Sequence, residues 1–208
     1  MCSSDLADFT NRPVAGIVSG FGVADVMAEA AGGWFVFVAR NAVRNTLARV
    51  FDTLHLRDHV RDDHTHRAMR DRFAELGLTD DRFIFGSPDS AALLYLLTSL
   101  GDRIRLLVGH SKGNYSIENA LEGCIQAKQA PGVTIDPNLC VVTLGAVARF
   151  PDYFTNVHQF LGTIDLLGLM NSQPLVKRES VAGAWHSTNE AVRGHLSVAE
   201  ALARVAAG

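Results

Sequence analysis

The chain has 208 residues, of which 48% are apolar and 20% are charged, so it is long and apolar enough to fold around a sizeable core and is not intrinsically disordered. The formal net charge of −3 argues against nucleic-acid binding through bulk positive charge. The three cysteines are scattered and form no CxxC pair, which argues against a disulfide framework or a zinc site.

The opening residues, MCSSDLADFT, carry neither the basic region nor the apolar region of a secretory signal. Together with the scattered cysteines, this predicts a protein of the reducing cytoplasm. The same residues do not resemble the start of a helix or a strand, so we expect the natural N-terminus to be missing or altered.

Apolar residues recur at helical spacing across residues 13–51, the most apolar part of the chain. The pattern predicts one or two amphipathic helices, with Gly32 and Gly33 as a break. The unbroken apolar tract at 30–39 is too short to span a bilayer. Core packing explains this pattern; the alternative is an apolar surface that docks on lipid, on a polymer granule or on a second subunit.

Histidines, acids and arginines crowd residues 52–75. The residue types that bind zinc or iron gather here: His55, His59, Asp62, Asp63, His64 and His66. Arginines alternate with the acids over the same stretch, however, and that alternation is typical of a solvated, ion-paired helix. We favour the ion-paired helix and expect no metal ion.

From residue 82 onwards, short apolar strands alternate with helices. The predicted strands are 82–88, 103–109, 139–147, 156–165 and 178–185, and the predicted helices are 89–102, 111–129 and 197–207. Such alternation is typical of a parallel α/β sheet with crossover connections. We therefore predict a largely helical segment over residues 1–80 and an α/β core over residues 81–208.

Cap residues mark the ends of two of these helices. Asp89 or Ser90 is the predicted N-cap of the first, and Gly101 its C-terminal stop. Ser197 is the predicted N-cap of the last helix.

The stretch LLVGHSKGN, residues 106–114, places a serine between a predicted strand and a predicted helix. A nucleophilic serine at such a turn adopts a strained backbone, and bulky side chains two positions before or after it would collide with the turn. Gly109 and Gly113 meet this requirement around Ser111. The backbone N–H of Lys112, at the start of the helix, is then placed to stabilise a developing oxyanion.

A serine nucleophile needs a base and an acid that orients the base. Asp165 ends the apolar stretch HQFLGTID, although a turn or N-cap aspartate is the alternative. His186, directly after the last predicted strand, is the preferred base; His195, before the closing helix, is the alternative. His110 is expected to point away from Ser111, and His158, in mid-strand, is expected to be structural.

The stretches VGHSKGN, VVTLGA, QFLGTIDLLGLMNS and AWHSTNE together resemble an α/β-hydrolase, most closely the class 3-type lipases. The resemblance covers about residues 103–207. It implies that Ser111 is the nucleophile, Asp165 the acid and His186 the base. Asn114 and Lys112 depart from the family's usual residues, and the short spacing from Asp165 to His186 leaves little room for a lid. The second oxyanion donor is not evident; residues 86–90 are the candidate.

These residues predict a cytoplasmic serine hydrolase, similar to lipases and esterases, that cleaves a carboxylic ester through an acyl-enzyme. Such a reaction needs no metal and no organic cofactor. The apolar first half suggests a hydrophobic acyl group, as in a lipid or polyester, and peripheral contact with such a surface; no nucleic-acid partner is expected. The alternatives are an acyltransferase on the same triad and a non-catalytic binding protein of this fold.

Overall fold

The computed structural model describes residues 6–7, 10–17, 64–78, 88–127, 130 and 132–207. Its helices are α1 (His64–Glu75), α2 (Pro88–Leu100), α3 (Lys112–Ala127), α4 (Leu166–Met170) and α5 (Val198–Ala207). Its strands are β1 (Leu106–His110), β2 (Cys140–Leu144), β3 (Val157–Gly162) and β4 (Glu179–Val181). The predicted helices within 13–51, the side chains of the predicted metal cluster and most of the predicted strand 82–88 lie outside the described residues.

The four strands form one parallel sheet in the order β1-β2-β3-β4. This confirms the predicted α/β class with a parallel sheet and flanking helices. Because the strands are parallel, the residues that follow their carboxyl ends meet along one edge of the sheet, where ligands bind in open α/β folds. Ser111, Asp165 and His186 each follow a strand and so belong to this edge.

Glycines end two strands earlier than the sequence pattern predicts. The apolar stretch 139–147 pairs only through Leu144, because the next residue, Gly145, has a φ of +74° and turns the chain out of the sheet. The stretch 178–185 pairs only over Glu179–Val181, and Gly183 has a φ of +68°. The positive φ angles, rather than a lack of apolar residues, set these strand ends.

Two of the predicted helix ends are confirmed and one is wrong. Gly101 has a φ of +55° and follows the last residue of α2, and the Ser197 hydroxyl accepts a hydrogen bond from the N–H of Glu200 at 3.2 Å. Helix α2 begins at Pro88, so Asp89 and Ser90 lie in its first turn and neither is the N-cap. Proline is favoured at the first helical position because its missing N–H would have no partner there.

The core has two parts, one on each face of the sheet. Neighbouring residues of β2 point to opposite faces: Val141 belongs to the part covered by α1, α2 and α3, and Val142 to the part covered by α5. Burial raises the pKa of the Cys124 thiol on α3 to about 12, so this cysteine packs as a core residue and is no nucleophile.

Helix α1 is ion-paired, as predicted for this part of the chain, but one of its faces is buried rather than solvated. Arg72 and Glu75 do form an ion pair at 3.1 Å. Met69, Phe73 and Leu76, however, are buried in the same core part as α2 and α3. The apolar residues of this charged stretch are few, but they share one face of the helix.

Within the described residues, none of the helices combines the length and the apolar character needed to cross a lipid bilayer.

Substitution Leu121→Ala tests the core on the α3 side. Leu121 is fully buried, so removing its side chain leaves a cavity and is expected to lower the free energy of unfolding by about 2–5 kcal/mol. Leu166→Ala is the matched control, because Leu166 is 73% exposed, and its expected effect is below about 0.5 kcal/mol. Chemical denaturation of both variants measures the difference; equal losses would contradict the described core.

Candidate active site

The structure brings Ser111, His186 and Asp165 into one chain of hydrogen bonds. His186 Nδ1 lies 2.9 Å from Asp165 Oδ2 and 3.0 Å from Oδ1. His186 Nε2 lies 2.9 Å from Ser111 Oγ. Because a carboxylate only accepts hydrogen bonds, Nδ1 carries the imidazole proton, and Nε2 is left to accept the serine hydroxyl proton.

Ser111 occupies a backbone conformation that residues with a side chain rarely adopt. Its φ is +53°, in the left-handed region, and such strain persists only where the surroundings hold it. The N–H of Ser111 donates to the carbonyl of Leu144 at 2.9 Å, and the N–H of Asn114 donates to the carbonyl of Ser111 at 3.0 Å. The turn is therefore tied on one side to the end of β2 and on the other to the first turn of α3.

The two glycines that flank Ser111 have different roles. A Cβ on Gly109 would lie 2.5 Å from Asn114 Oδ1 and 2.7 Å from Ile117 Cδ1, so only glycine fits there. A Cβ on Gly113 would meet nothing within 4 Å. The prediction that both positions must be small for steric reasons is therefore wrong for Gly113 within the described residues, because its side-chain direction points to open space.

Alanine substitutions at the two glycines are expected to have opposite effects on stability. Gly109→Ala is expected to lower the free energy of unfolding by about 1–3 kcal/mol, because the buried Asn114 and Ile117 side chains must move away from the added Cβ. Gly113→Ala is expected to be neutral or to stabilise by up to about 1 kcal/mol, because alanine favours the helix. Thermal and denaturant unfolding compare the two; a larger loss for Gly113→Ala would contradict the geometry of the turn.

Asn114 explains one departure from the family pattern. Its side chain is fully buried, and Nδ2 donates to the carbonyls of Leu144, at 2.9 Å, and Ala146, at 2.7 Å. A glycine here would leave both bonds unmade. Asn114 thus links α3 by hydrogen bonds to the end of β2 and the segment after it. The sequence alone did not reveal this role, because Leu144 and Ala146 are distant from Asn114 in the chain.

Asp165 combines the two roles that the sequence analysis treated as alternatives. It is the N-cap of α4, with Oδ1 accepting the N–H of Gly168 at 2.6 Å, and it also binds His186. Its side chain is fully buried. A Cβ on Gly168 would lie 2.2 Å from the Gly145 carbonyl oxygen and 2.3 Å from Asp165 Oδ2, so glycine is required where α4 passes the carboxylate.

His186 rather than His195 is the histidine at Ser111. The main chain on either side of His186 is fixed by two hydrogen bonds, from the Trp185 N–H to the Gly194 carbonyl at 2.8 Å and from the Leu196 N–H to the Ser187 carbonyl at 2.7 Å. His195 Nδ1 lies 3.1 Å from the Val192 carbonyl oxygen, within its own loop.

The prediction that His110 points away from the site is wrong. His110 Nε2 lies 2.7 Å from the carbonyl oxygen of His186, and the two ring centroids are 4.9 Å apart. The other strand histidine, His158, lies 2.9 Å from Asn156 Oδ1 and 3.9 Å from Glu179 Oε1, at the opposite end of β3 from the site.

The candidate oxyanion donor, Lys112, is the first residue of α3. The N–H groups of a helix's first turn point out of its N-terminus, towards the space beside Ser111. In the candidate second stretch, 86–90, residues from Pro88 onwards form the first turn of α2, and the Asp89 carboxylate accepts a hydrogen bond from the Ser116 hydroxyl.

Exposed apolar side chains lie near Asp165 and His186 in the chain. The sequence LLGLMNS, expected as a loop, contains the short helix α4, and Leu166, Leu169 and Met170 on it are 49–73% exposed. Trp185, next to His186, is 53% exposed. Several exposed apolar side chains thus lie in the chain segments next to Asp165 and His186.

Comparison of the chain with known protein families, with curated proteins and with solved structures found no match. Functional inference therefore depends on the geometry of Ser111, His186 and Asp165.

Proposed function

We propose that this protein is a serine hydrolase, similar to lipases and esterases, that cleaves carboxylic esters on a sheet of the α/β-hydrolase type. One observation carries the proposal: a strained serine at a strand-to-helix turn bonds to a histidine whose other nitrogen is held by a buried carboxylate. A buried aspartate and a strained serine are each costly to maintain, and together they have the geometry of a nucleophile, a base and an orienting acid.

The proposed reaction has two stages. Ser111 Oγ attacks the ester carbonyl carbon as His186 Nε2 takes the hydroxyl proton; the bond to the alcohol oxygen then breaks, and His186 returns the proton to the leaving alcohol. Water next attacks the acyl-serine and gives a proton to His186. The bond between Ser111 Oγ and the acyl carbon breaks, the acid leaves, and the proton returns to Ser111.

Two further groups assist in this proposal. The Asp165 carboxylate keeps the His186 proton on Nδ1 and stabilises the imidazolium that forms when Nε2 is protonated. The backbone N–H of Lys112 donates to the oxyanion of the tetrahedral intermediate. None of these steps needs a metal ion or an organic cofactor.

The substrate class follows from the surface beside the triad. Exposed leucine and methionine side chains on α4 suit a hydrophobic acyl group, as in a lipid or polyester, and a peripheral contact with such a surface. The charge of the chain favours neither nucleic acid nor another polyanion as partner. The scattered cysteines support a cytoplasmic location.

Reaction with a fluorophosphonate probe tests the nucleophile and the base together. The wild-type protein is expected to gain the mass of one phosphonyl group, because the probe captures an activated serine. Ser111→Ala and His186→Ala are expected to lose this adduct, and His195→Ala is expected to keep it. Intact-mass spectrometry of the four proteins reads the result, with circular dichroism to show that each is folded.

A folded wild-type protein that gains no adduct would contradict the proposed hydrolase and favour a non-catalytic binding protein. If the adduct forms, incubation of a p-nitrophenyl ester with an added alcohol separates the remaining alternative: free acid as the main product supports hydrolysis, and a new ester supports acyl transfer.

Asp165→Asn separates the two roles of Asp165. Asparagine keeps a capping oxygen for the Gly168 N–H, so the free energy of unfolding is expected to change by less than about 1 kcal/mol. The amide cannot hold the His186 proton on Nδ1 in the same way, so the rate of phosphonylation is expected to fall by roughly 10³- to 10⁴-fold. Rate constants and thermal melts are compared with those of Asp165→Ala, which loses both roles and is expected to melt lower. Retention of the full rate would exclude Asp165 as the orienting acid.

A further inference from the structure

His110 contacts the candidate base through two different groups. Its Nε2 lies 2.7 Å from the main-chain carbonyl oxygen of His186, and its ring lies beside the His186 ring with centroids 4.9 Å apart and planes tilted by 44°. His110 is the last residue of β1, and Ser111 follows it directly in the chain. One residue therefore links the strand that presents Ser111 to the segment that presents the base.

The hydrogen bond defines which nitrogen of His110 carries a proton. A carbonyl oxygen only accepts, so Nε2 of His110 is a donor in this arrangement. That nitrogen is committed to the His186 main chain, which excludes His110 Nε2 as a competing base for Ser111. The contact therefore supports a role in holding the position of His186 rather than in transferring a proton.

The main chain at His186 is held from two sides. Residues 185 and 187 bond to Gly194 and Leu196 through the Trp185 N–H and the Ser187 carbonyl. The intervening carbonyl, that of His186, accepts a hydrogen bond from His110. Within the described residues, the main chain around His186 is thus held by the Trp185 and Ser187 bonds and by the contact with His110.

Gly145 shows that the two rings are packed closely. Its φ is +74°, and an added Cβ would lie 3.1 Å from both His110 Nε2 and His186 Cε1. Gly145, in the segment after β2, therefore packs against both imidazole rings. The His110 and His186 rings therefore lie directly beside each other.

We propose that His110 is a positioning residue, which fixes the main chain and ring plane of His186 so that Nε2 faces Ser111. The inference rests on the proposed function, because it assigns His110 a role in the same reaction. The alignment of a base with its proton donor has a large effect on rate, and a displacement of about 1 Å can lower it roughly 100-fold.

Three substitutions separate the hydrogen bond from the bulk of the ring. His110→Gln keeps an N–H donor at nearly the reach of Nε2. His110→Leu has similar bulk and no donor, and His110→Asn has a donor that is too short to reach the carbonyl. We expect kcat for a p-nitrophenyl ester, and the rate of phosphonylation, to fall roughly 10- to 100-fold in His110→Leu and His110→Asn, with KM within twofold of wild type. His110→Gln is expected to recover most of the rate.

His158→Leu is the matched control, since His158 is also a strand histidine and bonds to Asn156 away from the site. It is expected to keep the wild-type rate. A folded His110→Leu or His110→Asn variant with the wild-type rate would overturn the proposal, and so would a His110→Gln variant no faster than His110→Asn.

Histidine NMR tests the positioning of His186 without measuring activity. With ¹⁵N-labelled histidine, the ring nitrogens of His186, assigned from His186→Ala, are expected to shift in His110→Asn and to stay near their wild-type positions in His110→Gln. If the wild-type protein fails to react with the fluorophosphonate, the proposed function is wrong, and the NMR comparison still decides whether His110 positions His186. Unchanged His186 signals in His110→Asn would overturn the proposal.

Discussion

The carbonyl oxygen of Leu144, at the end of β2, is the point on which the arrangement of the site depends. It accepts the N–H of Ser111 and the side-chain N–H of Asn114, each at 2.9 Å. The first bond holds the serine turn in its left-handed conformation, and the second sets the position of helix α3. A backbone oxygen with two donors thus fixes both Ser111 and helix α3, without depending on the identity of residue 144.

Hydrogen bonds of the segment after Leu144 also hold the helix that Asp165 caps. The N–H of Val147 donates to the Ser172 hydroxyl at 2.9 Å, and that hydroxyl donates to the Gly168 carbonyl at 2.6 Å. The N–H of Gln173 donates to the Val147 carbonyl at 2.8 Å. Helix α4, and the aspartate that caps it, is therefore held against the same loop that lies under the two histidine rings. Ser111, His186 and Asp165 follow three different strands but are supported by the same segment after β2.

Local pattern was sufficient to predict a parallel α/β sheet, the longer described helices and the position of Ser111, Asp165 and His186 after three of the strands, because apolar periodicity is a property of neighbouring residues. It did not predict the short helix α4 or the early ends of β2 and β4. It could not predict the hydrogen bonds of the Asn114 side chain to Leu144 and Ala146, the contact of His110 with His186, or the open space beside Gly113. Those depend on contacts between residues far apart in the chain. The two contacts of Asp165 were treated as alternatives for a related reason: a capping aspartate and one that binds a histidine look alike in sequence, and only the position of His186 shows that Asp165 does both.

The two backbone hydrogen bonds that flank His186 have a consequence for how this architecture can change. They close the loop between Ser187 and Leu196 at its base, while most residues from Asn189 to Gly194 are exposed. Added residues at the tip of such a closed loop do not stretch its stem. The loop tip is therefore a position where evolution or design can insert a segment that covers the site or selects its ligands, without moving the His186 imidazole.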